Sequence, residues 1–123
     1  MKQLNIIILS LGVILFTSCK KEEVKPNIIK YEVTSTYSGE MQIQYRNEFG
    51  NSNTELVSGG SWTKSFEVGT EIYYLVSPFQ DLGLNNFVNH SINAKIYYNG
   101  VLVNENSQQG TTGLSVLASY SIP

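Results

Sequence analysis

Apolar residues recur at every second position through almost the whole C-terminal three quarters of this 123-residue chain. Ile29, Tyr31 and Val33 alternate with Lys30, Glu32 and Thr34, and Met41, Ile43 and Tyr45 alternate with Gln42, Gln44 and Arg46. Ile92, Ala94, Ile96 and Tyr98 repeat the pattern, as do Leu114, Val116, Ala118, Tyr120 and Ile122. A period of two puts alternate side chains on opposite faces of a pleated strand, so each segment reads as a strand with one buried face.

The punctuation agrees. NEFGNSN at 47–53 reads as a turn, TELVS as a short strand, and Gly59-Gly60 as the break before SWTKSFEV. In that strand Trp62, Lys64 and Phe66 share a face; Lys64 is therefore expected near a sheet edge, its stem on apolar surface and its ammonium in water. EIYYLVS at 71–77 has apolar residues on both faces and reads as a central strand. Asn99-Gly100 is the strongest hairpin signal, a two-residue type I′ turn needing positive φ at both positions. Pairing across it sets Tyr98 opposite Val101, Tyr97 opposite Leu102 and Ile96 opposite Val103. QQGTTG reads as the next turn and 114–122 as one final strand. Seven to eight strands without a helical segment predict an all-β, antiparallel, Ig-like β-sandwich over residues 28–123, with Trp62 at the centre of its core.

The N-terminus reads differently. Leu4 to Phe16 is an apolar stretch interrupted only by Asn5 and Ser10, after a short start carrying Lys2. It is short of the roughly 20 apolar residues that span a bilayer and has the length of a signal-peptide core. Phe16, Thr17, Ser18 and Cys19 resemble the lipobox of bacterial lipoproteins, with Phe where Leu is more usual. This resemblance implies a signal peptide over 1–18 and lipidation of Cys19, the chain's one cysteine. Acyl chains there would attach the protein to the outer membrane, each buried methylene contributing about 0.8 kcal/mol. With no second cysteine there is no intrachain disulfide and no cysteine-based metal site. Residues 19–27, CKKEEVKPN, read as a lipidated cysteine and a disordered tether. CKKEE also resembles the surface-export signal of Bacteroidetes lipoproteins, so the domain is expected in the envelope, facing either the periplasm or the cell surface.

Residues 28–123 carry Lys30, Arg46, Lys64 and Lys95 against Glu32, Glu40, Glu48, Glu55, Glu67, Glu71, Asp81 and Glu105. This acidic balance argues against a nucleic-acid surface, which needs clustered cations. His90 is the one histidine, which excludes a multi-histidine metal centre. A triad of His90, Asp81 and Ser77 or Ser91 lacks any nucleophile-elbow pattern around either serine. Glu67 and Glu71 read as acids closing a hairpin rather than a catalytic pair, and Gly59-Gly60 lacks the rest of a phosphate loop. No cofactor is expected, and the chain does not read as an enzyme.

Two features suggest binding. The stretch from Pro78 to His90 carries Phe79, Leu82, Leu84 and Phe87, either as a cap on one end of the sandwich or as anchors of a contact surface. Tyr73 and Tyr97 fall on strand faces opposite core residues; tyrosine is ordinary there, and exposed tyrosines also stack on sugar rings or fill partner pockets.

YEVTSTYSGEMQIQYRNEFG (31–50), SWTKSF (61–66) and AKIYYNGVLVNENSQQGTTGLSVLASYSI (94–122) are similar to the extracytoplasmic domain of the MmpS family, small membrane-anchored accessories of RND-type lipid exporters. There a YxVxG-like strand, a WSxxF element and an IxxDGxxV hairpin occur in this order; here Asn99 replaces the Asp, and a lipid replaces the transmembrane helix. The resemblance implies a β-sandwich acting as an accessory or docking module of an envelope transport system. The alternative is a surface-exposed lipoprotein that binds a glycan or a host protein.

Overall fold

The computed structural model describes residues 26–69, 73–80 and 88–123. The segment expected to be a signal peptide (1–18), Cys19, Glu71, Asp81, Leu82, Leu84 and Phe87 lie outside the described residues.

The described chain forms two antiparallel sheets, as the alternation requires. One has the order β4-β1-β6-β7, from β1 (Asn27–Ser35), β4 (Ser61–Val68), β6 (His90–Tyr98) and β7 (Val101–Gly110). The other contains β2 (Glu40–Arg46), β3 (Ser52–Ser58), β5 (Tyr73–Gln80) and two short pieces, β8 (Leu114–Ser115) and β9 (Ala118–Ser121), both paired with β5. Their inner faces meet in one core. Ile29, Tyr31, Val33, Met41, Ile43, Tyr45, Ile92, Ala94 and Ile96 are all buried, with Leu114, Ala118 and Ile122 closing one side. Every residue that the period-two reading placed inward on β1, β2 and β6 up to Ile96 is in this core, and Tyr98 packs against it partly buried.

The core's centre differs from the expectation. Trp62 lies on the edge strand β4 and is only partly buried against the core. Tyr31, fully buried on a central strand, is the hub: its ring packs edge-on to Tyr45 and Phe66 and parallel to Trp62, with centroids at 5.9, 5.5 and 6.4 Å. An indole on an edge strand has neighbours on one side only, so it closes the core rather than centring it. Lys64 does sit at the edge, its ammonium 5.2 Å from the Tyr45 ring centroid and 3.5 Å from the Glu55 carboxylate.

Three boundaries move, two of them around Pro78. β5 continues through Pro78, Phe79 and Gln80, which the sequence reading assigned to a loop. Proline is tolerated there because it falls where the neighbouring ladder breaks: Val116 donates to the Pro78 carbonyl at 3.3 Å, and Pro78 has no N–H to return the bond. The same missing donor divides the single strand expected over 114–122 into β8 and β9. The Asn99-Gly100 turn forms as expected, with φ of 50° and 82°. Tyr98 pairs with Val101 and Tyr97 with Leu102, but Ile96 pairs with Asn104, because a register shift makes Val103 an extra residue. β7 also runs on to Gly110, leaving a shorter turn than QQGTTG.

That bulge turns Asn104, Asn106 and Gln108 toward the C-terminal segment. Asn104 Nδ2 donates to the Ser119 carbonyl at 2.7 Å, Asn106 Nδ2 donates to the Leu117 carbonyl, and Gln108 Oε1 accepts the Ser115 N–H at 3.1 Å. Each step of two along β7 is matched by a step of two back along 115–119. Side-chain amides thus stand in for a main-chain ladder and close the open side of the sandwich.

Candidate functional site

The outward faces of the two sheets are built from the positions left over by the core, and their chemistry differs. On the four-stranded sheet, register aligns Thr63, Glu32, Lys95 and Glu105 in one cross-strand row and Ser65, Lys30, Tyr97 and Leu102 in the next. Opposite charges therefore alternate across this face, with Ile28, Val101 and Leu102 exposed beside them. On the five-stranded sheet, Leu56, Gln42, Phe79 and Ser115 form one row, and Thr54, Gln44 and Ser77 the next. Among the described residues, the only charges on this face are Glu40 and Arg46, at opposite ends of β2.

The charge-poor face also exposes large apolar groups. Leu56 is 67% and Phe79 44% exposed, and Tyr73 is exposed as well. Leu56, Phe79, Gln42 and Glu40 line a shallow recess of about 120 Å³. Beyond it, the Arg46 guanidinium lies 5.5 Å from the Tyr73 ring centroid. Cation over ring and flat amide beside aliphatic make a surface that is adhesive without net charge.

The structure brings together two of the residues expected to bind, Tyr73 and Phe79, on one face and one strand. It puts Phe79 on β5 instead of in a loop. Tyr97 lies on the other sheet, its ring centroid 5.3 Å from the Lys30 ammonium. Leu82, Leu84 and Phe87, the other expected anchors, lie outside the described residues. Leu56 was missed, yet it had a signal: beside Val57 it breaks the alternation, and a strand with apolar residues on both faces has two things to cover.

His90 is buried at the end of the sandwich where β1, β5 and β6 meet. Its Nδ1 donates to the Val88 carbonyl at 3.0 Å, and its ring packs against Tyr37 at 5.7 Å. His90 faces the interior, whereas Ser91, the next residue, takes the opposite face. Beside it Ser35 Oγ donates to Gln80 Oε1 at 2.8 Å. Among the described residues His90 Nε2 and Gln80 Nε2 are buried without a hydrogen-bond partner, and no three His, Cys, Asp or Glu side chains gather as metal ligands. Burial pushes the Tyr31 hydroxyl well above the ordinary tyrosine value and raises that of Tyr74, and Lys64 is raised first by the Tyr45 hydroxyl and then, against desolvation, by the Tyr45 and Glu55 charges.

No family model matches the chain, and no curated protein is a match to it. No helix among the described residues is long and apolar enough to cross a membrane.

Proposed function

We propose that this is a non-catalytic bacterial envelope protein, held at the membrane by acylated Cys19, that docks the outer face of its five-stranded sheet onto a partner protein. The observation that carries the docking face is the pairing of exposed Leu56 and Phe79 on a face whose only charges among the described residues are Glu40, beside them, and Arg46 at the far end of β2. Depletion of charge with retention of aromatic and aliphatic groups is what distinguishes the centre of a protein interface from ordinary surface. The lipobox-like FTSC supplies the anchor, and the MmpS-like motifs at 31–50, 61–66 and 94–122 favour an accessory of an envelope transport system as the setting.

Native electrophoresis of solubilised envelopes tests this. The protein is expected in an assembly larger than itself, and Leu56→Glu with Phe79→Glu should return it to the free position while it stays in the membrane fraction. Cys19→Ala should release it from that fraction. Unchanged migration of the double variant contradicts the docking face; membrane retention of Cys19→Ala contradicts the lipid.

A further inference from the structure

We infer that the opposite, four-stranded sheet carries a binding site for a neutral oligosaccharide. The site is a recess of about 360 Å³ lined by Ile28, Lys30, Ser65, Tyr97, Asn99 and Gly100. That volume falls within the range of small-ligand sites, roughly 300–1,000 Å³.

Its floor is the cross-strand row Ser65, Lys30 and Tyr97, from three adjacent strands. Its wall is the β6–β7 turn, which is pinned to β1 rather than left to move. Asn99 Oδ1 accepts the Ile28 N–H at 2.8 Å, the Asn99 N–H donates to the Ile28 carbonyl at 2.9 Å, and Asn99 Nδ2 donates to Asn27 Oδ1 at 3.1 Å. Little ordering is left for a ligand to impose, which favours binding.

The lining matches a pyranose. One side of such a ring is a C–H surface, and Tyr97 with the 41% exposed Ile28 supplies an apolar bed for it once the sugar displaces the Lys30 ammonium, which lies 5.3 Å over the Tyr97 ring. The rim of the ring is hydroxyl, and the Lys30 ammonium and Ser65 hydroxyl provide donors and an acceptor beside that bed. Charge decides between sugar classes. Lys30 is 3.6 Å from Glu32, so its charge is already balanced, and residues 28–123 are acidic overall. No net positive field draws a phosphate or carboxylate into the recess. A Cβ built on Gly100 meets nothing within 4 Å, so the turn does not crowd the recess at this residue.

The site lies on the face away from Leu56 and Phe79, and its test is independent of docking. Full-length protein in phosphocholine micelles is mixed with maltotriose, cellotriose, chitotriose and mannotriose, with tri-galacturonate as the anionic comparison, and saturation transfer to the sugar C–H protons is measured. At least one neutral trisaccharide should show saturable transfer, retained in Tyr97→Phe and weakened about tenfold in Tyr97→Ala. Tyr73→Ala on the other sheet should bind as the parent does. If Tyr97→Ala loses its fold, Ser65→Arg fills the recess from the edge strand and should abolish transfer. The inference is overturned by no transfer to any neutral sugar, by preference for tri-galacturonate, or by equal binding in the Tyr97→Ala or Ser65→Arg variant.

Discussion

The two sheets share one core yet differ on both of their faces. Outside, the four-stranded sheet carries Lys30, Glu32, Glu67, Lys95 and Glu105, while the five-stranded sheet carries Glu40 and Arg46 and exposes Leu56, Phe79 and Tyr73. Inside, the first contributes one fully buried tyrosine, Tyr31, and the second two, Tyr45 and Tyr74, of which Tyr45 accepts a bond from Asn53 Nδ2 at 3.4 Å. Tyr31 from the first sheet donates to the Arg46 carbonyl of the second at 2.8 Å, whereas the Tyr74 hydroxyl has no partner among the described residues. The first sheet bonds its tyrosine hydroxyl inward and is well charged outward, though His90 Nε2 has no partner among the described residues and Ile28, Val101 and Leu102 are exposed beside the charges. The second leaves polar potential unused inside and apolar area uncovered outside. A sheet in that condition is the one expected to be completed by something else.

The largest effect on this contrast should come from cutting the seam that joins the sheets. Replacing Asn104, Asn106 and Gln108 together by alanine removes three bonds to 115–119, at about 1 kcal/mol each. Urea denaturation should show a loss of about 2–4 kcal/mol, and limited proteolysis should cut first near the C-terminus. A loss below 1 kcal/mol would mean that the amides decorate the seam and do not hold it.

The tyrosines sharpen the comparison at half that scale. Tyr31→Phe leaves the Arg46 carbonyl without its donor and should cost about 1–2 kcal/mol. Tyr74→Phe removes a hydroxyl that bonds nothing among the described residues and should be neutral or mildly stabilising. Equal costs would show that Tyr74 has a partner after all.

Alkaline pH tests both hydroxyls together. Their folded pKa values lie above the unfolded value of 10.0, so the fold holds protons that the unfolded chain gives up. Their contribution is fully present below pH 10 and is lost as pH rises toward the folded values, by up to about 1.4 kcal/mol per pH unit for each tyrosine. A melting temperature falling above pH 10, and falling less in Tyr74→Phe, is the expected result. The smallest effect belongs to the Lys64 to Glu55 ion pair, whose side chains are about 40% exposed. Glu55→Gln should cost less than about 1 kcal/mol, and the difference should shrink in 1 M NaCl.

Alternation made the core of β1, β2 and β6 legible because burial on one face of a strand is a local, repeated constraint. Asn99-Gly100 was legible because only a few residue types accept positive φ twice in succession. The Val103 bulge was not, since VLVNEN, three apolar residues followed by three polar ones, carries no alternation that would fix the register. Nor was the strand character of Pro78, whose tolerance depends on what lies opposite it at Val116. The binding surfaces were half legible. Tyr73, Phe79 and Tyr97 were visible as apolar groups in excess of core need, but Leu56 meets Phe79 only across β2, and Ser65 and Lys30 meet Tyr97 only through long-range register. Faces are properties of pairing, and pairing is where a single sequence says least.

The claim that the two outer faces differ in use is tested most directly by photo-crosslinking in intact cells, with a benzophenone amino acid placed at Leu56 on one sheet and, separately, at Lys95 on the other. The account predicts one discrete higher-mass adduct from position 56 and none from position 95. Adducts of equal yield from both positions, or from position 95 alone, would contradict it.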